Sequence, residues 1–144
     1  DKEIARAIRH ERPLSLCIID VDLFKPVNDR YGHISGDEVL RQIALLLRRH
    51  ARTDDLAARI GGEEFALMLP ECDAEAARVF AERLREAVAE AVFTPGGEAQ
   101  QITVSIGIAE LAPGRDVRPA LMAAADTALY RAKSEGRNRV CVED

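Results

Sequence analysis

No apolar run in these 144 residues approaches the roughly 20 needed to cross a bilayer. The opening Asp1-Lys2-Glu3 lacks the basic-then-apolar pattern of a secretory signal. Positive charge is not in excess: 20 Lys plus Arg stand against 25 Asp plus Glu, net −5. That balance argues against a nucleic-acid partner and leaves room only for a local basic patch. Cysteine is scarce. Cys17, Cys72 and Cys141 are odd in number and far apart, which suits neither a disulfide framework nor a zinc site. Cys17 and Cys141 sit in apolar runs and are expected in the core. There is no internal repeat and no low-complexity linker. There is also no Gly-x-x-x-x-Gly-Lys-Ser/Thr loop, which excludes a P-loop NTPase. What remains is a chain 47% hydrophobic, long enough for one cored domain over residues 1–144. A reducing, cytoplasmic setting is expected, without membrane contact by the domain itself.

Glycine and proline punctuate the chain at Pro13, Gly32, Gly36, Gly61-Gly62, Pro95-Gly96-Gly97, Pro113-Gly114 and Gly136. Between these marks the hydrophobic period changes. Residues 2–11 predict a helix with Ile4 and Ile8 on one face, and residues 14–22 are apolar on both faces, as in a central strand. From Asp37 to about Ala51, Val39, Leu40, Ile43, Leu46 and Leu47 form a helical stripe, and Ser35 with Glu38 predicts a capping box. Residues 56–60 and 65–69 flank Gly61-Gly62 as a β-hairpin, in which the glycines can take positive φ. Asp73 to Ala91 predicts a helix, Ile102 to Ile108 an alternating strand, and Pro119 to Lys133 a helix stopped by Gly136 as its C′ residue. Val140 to Val142 closes the chain as a short strand. The fold class is α/β (α+β): a mixed sheet flanked by helices, for which a ferredoxin-like arrangement is the simplest topology.

Two acidic clusters stand out. Asp20 and Asp22 lie at the carboxyl end of the first strand, and their two-residue spacing predicts that both project from one side. Glu63 and Glu64 follow the glycine turn. For Asp22, a solvated strand end competes evenly with a functional role, and an ordinary turn would also expose the two glutamates. If the clusters converge, such a concentration of carboxylates calls for hard divalent cations, Mg²⁺ or Mn²⁺. A metal beside a glycine turn suggests phosphate chemistry. Lys25, Lys133 and Arg137 are candidate phosphate clamps, although the last two also suit a helix C-terminus. Asn28 and Asp37 could read a base edge, or serve as a turn residue and a helix N-terminal acid. His33 reads more simply as a loop hydrogen-bonder.

Taken together these residues resemble the GGDEF family of diguanylate cyclases. The run Asp20-Val21-Asp22-Leu23-Phe24-Lys25-Pro26-Val27-Asn28-Asp29 is similar to D-[IV]-D-x-F-K-x-[ILV]-N-D, and residues 31–37 are similar to YGHxxGD. Residues 61–65 form the GGEEF variant of the signature, and residues 103–107 and 125–138 match the late segments. The resemblance implies condensation of two GTP to cyclic di-GMP with release of two pyrophosphates, across a two-fold interface between two domains. It implies two metal ions per active site, held by Asp20, the Val21 carbonyl, Glu63 and Glu64. Glu63 would be the base for the attacking 3′-hydroxyl. Asn28 and Asp37 would read guanine, with His33, Gly61 and Gly62 near the nucleotide. Lys25 would stabilise phosphate charge during transfer, while Lys133 and Arg137 hold the triphosphate tail.

A second resemblance is regulatory. Arg52-Thr53-Asp54-Asp55 is similar to the family's RxxD product-inhibition site, and Arg83 matches an arginine that often completes it. Arginine suits guanine O6 and N7, and aspartate the opposite donor edge. The family's usual D-x-L-T-x-L-x-N-R opening is absent, as expected of a piece of a longer, regulated protein. The rival reading is a non-catalytic receptor for cyclic di-GMP or GTP, although such members usually lose the signature acids kept here. A cyclase closing one purine nucleotide on itself is a further rival, and a purely structural oligomerisation module leaves the acids without a purpose.

Overall fold

The computed structural model describes residues 2–10, 12–111 and 118–143. Glu11 and the Pro113-Gly114 turn lie outside the described residues, as do the side chains of Ile4, Ile8 and Pro119.

The elements run α1 (Lys2–His10), β1 (Leu14–Val21), α2 (Phe24–Tyr31), α3 (His33–His50), β2 (Leu56–Arg59), β3 (Glu64–Pro70), α4 (Ala74–Glu90), β4 (Val104–Glu110), α5 (Arg118–Ser134) and β5 (Val140–Val142). The five strands form one sheet in the order β2-β3-β1-β4-β5. β1 is antiparallel to both β3 and β4, which is the ferredoxin-like order for the first four strands. β5 adds parallel to β4, and α5 makes the crossover between them.

β1 is buried along its whole length because both of its faces are covered. Cys17, Ile19 and Val21 meet the apolar stripes of α3 and α4, among them Ile43, Leu47 and Leu84. Leu14, Leu16 and Ile18 meet Ala7 of α1 and Leu121, Ala125 and Leu129 of α5. Each fully buried Leu or Ile contributes about 1.5–3 kcal/mol relative to exposure, so the continuous apolar run fixes β1 at the centre. All three cysteines are buried and free. Burial pushes the Cys17 thiol far above its ordinary value, so it is packing rather than a nucleophile.

Gly107 of β4 sets the distance to α5. A Cβ there would lie 2.3 Å from the Ala125 carbonyl oxygen and 2.3 Å from the Leu129 nitrogen. At the far end of α5, the Arg137 amide donates to the Ala132 carbonyl at 3.0 Å and the Gly136 amide to Lys133 at 3.4 Å. Gly136 has φ 127°. This is a Schellman stop with Gly136 at C′, as its sequence position predicts.

Several boundaries differ from the sequence reading. α2 was not anticipated. The chain turns at Leu23, which adopts φ 52°, and Phe24 then anchors the helix in the core. Pro26 is tolerated as the third residue, where helix amides lack partners in any case. α3 begins at His33 rather than Asp37, with Gly32 as its N-cap and no side-chain cap. Ser35 is therefore inside the helix, the expected capping box does not form, and Asp37 lies a turn further in. β4 starts at Val104 rather than Ile102, although the Asp22 amide still donates to the Thr103 carbonyl at 2.9 Å and carries the β1–β4 register one residue further. Asp73 does cap α4, accepting from the Ala76 amide at 2.8 Å.

Candidate active site

The end of β1, the β2–β3 turn, the α2–α3 pair and the end of α5 all reach one end of the sheet. Asp20 and Glu64 are directly opposed across β1 and β3, so their side chains share a face. That face carries α5, and Lys133 Nζ donates to Asp20 Oδ2 at 2.6 Å. The Asp20 side chain is only 7% exposed. Partial burial and then the Asp20 charge raise the Glu63 carboxyl above the usual carboxylate range, with Lys133 working in the opposite direction. Glu64 is raised by the same two causes and by a hydrogen bond to Asp20. These are the marks of an acid cluster short of positive charge.

The glycine turn works differently from the sequence expectation. Neither Gly61 nor Gly62 takes positive φ. Instead, Arg59 on β2 donates to the Gly61 carbonyl at 3.2 Å and to the Gly62 carbonyl at 2.7 Å. The Val21 amide donates to the Glu63 carbonyl at 3.1 Å. The turn is thus pinned to both β1 and β2, and the missing side chain at Gly62 keeps the approach open, since a Cβ there would meet nothing within 4 Å.

The cleft has two ends that share Asp20, Phe24, Lys25 and Glu63. One end, about 550 Å³, is bordered by Asn28, His33, Asp37, Gly62 and Glu64. Its shape depends on Gly36, where a Cβ would fall 1.8 Å from Asn28 Oδ1 and 3.1 Å from Phe24 Cζ. A Cβ at this position would displace the Asn28 side-chain amide. Asn28 Oδ1 is buried against Gly36 and has no hydrogen-bond partner. The other end, about 210 Å³, is bordered by Val21, Asp22, Lys133 and Arg137. Lys25 borders both ends and is largely exposed, paired loosely with Asp29 at 3.4 Å.

Gly61 does not line either end. Asp22 is not the solvated acid that its position suggested. It is 8% exposed, and its carboxylate accepts from Thr103, Ser105 and the Asn138 amide. Ser105, which donates to Asp22, is paired with Asp20 across β1 and β4, so the two aspartates share a face as their spacing predicts, with Asp22 held by the protein's own donors.

The second arginine–aspartate pair lies away from this cleft, in the turn before β2. Arg52 is exposed and donates to the Pro70 carbonyl at 3.0 Å. The Asp55 side chain is fully buried and accepts from the Arg52 amide at 2.7 Å. Its other oxygen, Oδ1, makes no hydrogen bond but pairs with the Arg52 guanidinium at 3.5 Å. Arg83 is exposed on α4.

As placed, no three acids, histidines or cysteines among the described residues close on one point tightly enough to hold an ion. The donor set is nonetheless of the right kind: hard carboxylate oxygens, two of them raised by burial and then by the Asp20 charge, with an ammonium drawn onto the third. A cation fits here if nucleotide phosphates complete its shell.

Comparison with known proteins agrees with this geometry. The family model for the diguanylate cyclase GGDEF domain matches residues 1–139. The chain is 45% identical over 140 residues to the diguanylate cyclase DgcP of Pseudomonas aeruginosa, covering 97% of this chain and 21% of that protein. It is 42% identical over 142 residues to the response regulator PleD of Caulobacter vibrioides, covering 97% of this chain and 31% of that protein. The chain thus spans about a third or less of these curated relatives. Among solved structures, the active GGEEF domain of a diguanylate cyclase from Vibrio cholerae superposes with a TM-score of 0.94 at 37% identity, covering 99% of this chain and 90% of that one. The GGDEF domain of DgcB from Caulobacter crescentus, in complex with c-di-GMP, gives 0.94 at 38% identity, with 99% and 84% covered. Diguanylate cyclases of this kind use divalent metal ions. The chain, with its GGEEF turn on a ferredoxin-like sheet, belongs to the diguanylate cyclase GGDEF domain family.

Proposed function

We propose that this chain condenses two GTP into cyclic di-GMP, each of two facing copies holding one GTP. The observation that carries this reading is the two-ended cleft. Asn28, Asp37 and Glu64 border one end, Lys133 and Arg137 border the other, and Asp20 and Glu63 lie between and border both.

Guanine presents N1–H and N2–H₂ donors along one edge, matching the acceptors of Asn28 and Asp37. His33 borders the same end. The triphosphate would then run toward Lys133 and Arg137, with Lys25 beside the α- and β-phosphates. In the reaction, the 3′-oxygen of one GTP forms a bond to the α-phosphorus of the other. The bond from that phosphorus to the bridging oxygen breaks, and pyrophosphate leaves. The proton of the 3′-hydroxyl goes to Glu63, which borders both ends of the cleft. Lys25 and Arg137 offset the charge that develops on the phosphate oxygens. Asp20, Glu63, Glu64 and the Val21 carbonyl would hold two Mg²⁺ or Mn²⁺ ions, which supply charge neutralisation and polarise the α-phosphate. Lys133 would exchange its hold on Asp20 for the nucleotide's phosphates.

Feedback by product is part of this reading. Arg52, with Arg83 on α4, would bind cyclic di-GMP, while the inward-turned Asp55 shapes the loop that presents Arg52.

The test is incubation of the chain with GTP and Mg²⁺, with products separated and weighed by mass spectrometry. Cyclic di-GMP with two equivalents of pyrophosphate supports the reading. A 3′,5′-cyclic mononucleotide, or no product from a chain that still binds cyclic di-GMP, would replace it with one of the two rivals.

A further inference from the structure

The carboxylate of Asp22 is spent entirely on the protein. Thr103 Oγ1 donates to its Oδ2 at 2.7 Å, Ser105 Oγ to its Oδ1 at 2.7 Å, and the Asn138 amide to Oδ2 at 3.0 Å. Asn138 is held from a second direction, since its side-chain Oδ1 accepts from Arg85 Nη1 at 2.8 Å. Arg85 projects from α4 and is steadied by Glu82 at 3.1 Å.

These contacts converge on an unfavourable piece of backbone. Arg137 and Asn138 adopt φ 63° and 46°, the left-handed region that residues with a Cβ rarely enter. Gly136 relieves the first turn after α5, but the two residues that follow have no such freedom. A short polar residue such as Asn tolerates the region better than most; Arg does not share that advantage. Such a conformation persists only where its surroundings over-determine it. Here the surroundings are Asp22 beneath and Arg85 beside Asn138, with the Ala132 carbonyl accepting from Arg137 itself at 3.0 Å.

We infer that Asp22 and Arg85 are positioning residues for Arg137: together they lock the Arg137–Asn138 turn in its left-handed form and so aim the guanidinium into the phosphate end of the cleft. Asp22 is well placed for this because it follows the strand that carries Asp20 and also grips β4. One buried carboxylate thereby ties the acid cluster and the phosphate clamp into a single frame. The inference rests on the reading of Arg137 as a ligand for the triphosphate tail.

Two ligands separate aiming from folding. A GTP analogue with a methylene between the α- and β-phosphorus keeps the tail and cannot react, whereas GMP lacks the tail. Their affinities with Mg²⁺ are measured by calorimetry for the chain and for Arg137→Ala, Asp22→Asn, Arg85→Ala and the Asp22→Asn/Arg137→Ala double variant. Arg137→Ala should weaken the analogue roughly tenfold and leave GMP within about twofold. Asp22→Asn and Arg85→Ala should show the same selective loss, about three- to tenfold. In the double variant, Asp22→Asn should add less than about twofold to the loss from Arg137→Ala. If Asp22→Asn does not fold, Arg85→Ala, altered on a partly exposed helix face, decides the matter. An unchanged ratio of analogue to GMP affinity in folded Asp22→Asn or Arg85→Ala overturns the inference, as does an equal loss for both ligands. Full affinity for the analogue in Arg137→Ala overturns the phosphate-clamp reading and with it the inference.

Discussion

Lys133 and Asp20 are 113 positions apart in sequence, yet the lysine ammonium donates to the aspartate carboxylate at 2.6 Å. This contact joins the end of α5 to the end of β1 and places the chain's own positive charge inside the acid cluster. It also couples stability to cation binding. Lys133→Met should leave Asp20 with an unanswered charge and cost the metal-free chain about 1–3 kcal/mol. Saturating Mg²⁺ should recover part of that loss. Thermal melts of the two proteins, with and without Mg²⁺, check both statements.

Raised carboxyl groups carry a definite sign. Glu63 and Glu64 hold their protons more tightly folded than unfolded, so their contribution to stability is fully present below the ordinary glutamate value of about 4.3. It is lost as pH rises through the raised folded values. Without metal, Glu64→Gln should therefore gain in Tm relative to the parent chain as pH increases through that window. Melts at a series of pH values measure the difference. A gap that narrows with rising pH would contradict the charge balance described for the cluster.

Gly36 is set against Asn28 so closely that a Cβ would displace the Asn28 side-chain amide. Gly36→Ala should move that amide, weakening guanine nucleotides about tenfold while costing about 1–3 kcal/mol of stability. Binding of GMP, read alongside the melt, distinguishes loss of the pocket from loss of the fold.

Arg52, proposed to bind the product, stands apart from the cleft. Arg52→Ala should relieve inhibition by added cyclic di-GMP and change turnover at low product by less than about twofold, since Arg52 lines neither end of the cleft. Initial rates with increasing product decide it, and unchanged inhibition would remove the site.

The order of strands was legible because β1 and β4 carry unambiguous patterns and because the GGEEF turn lies between two short apolar runs. The α2 helix was hidden, since its motif residues mix a proline with polar side chains and only Phe24 is buried. Without α2 the pattern starts α3 a turn late, which leaves Asp37 open to two readings, a base reader and a helix N-terminal acid. The acids at Asp20, Glu63 and Glu64 could be picked out as local clusters. What Asp22 does was not visible, because its partners Thr103, Ser105 and Asn138 come from more than eighty residues away. Arg85 was overlooked for the same reason. A clue was present in the Gly-Arg-Asn sequence after α5, where a glycine stop followed by another turn-tolerant residue signals an extended left-handed stretch.

The most direct measurement is the specific rate of cyclic di-GMP formation from GTP and Mg²⁺ as the concentration of the chain is raised, with Glu63→Ala run in parallel. Each copy holds only one GTP in this account. The rate per chain should therefore rise with concentration, and Glu63→Ala should lose on the order of 10²–10⁴-fold. A specific rate independent of concentration in a chain that stays monomeric, or full activity in Glu63→Ala, would contradict the account.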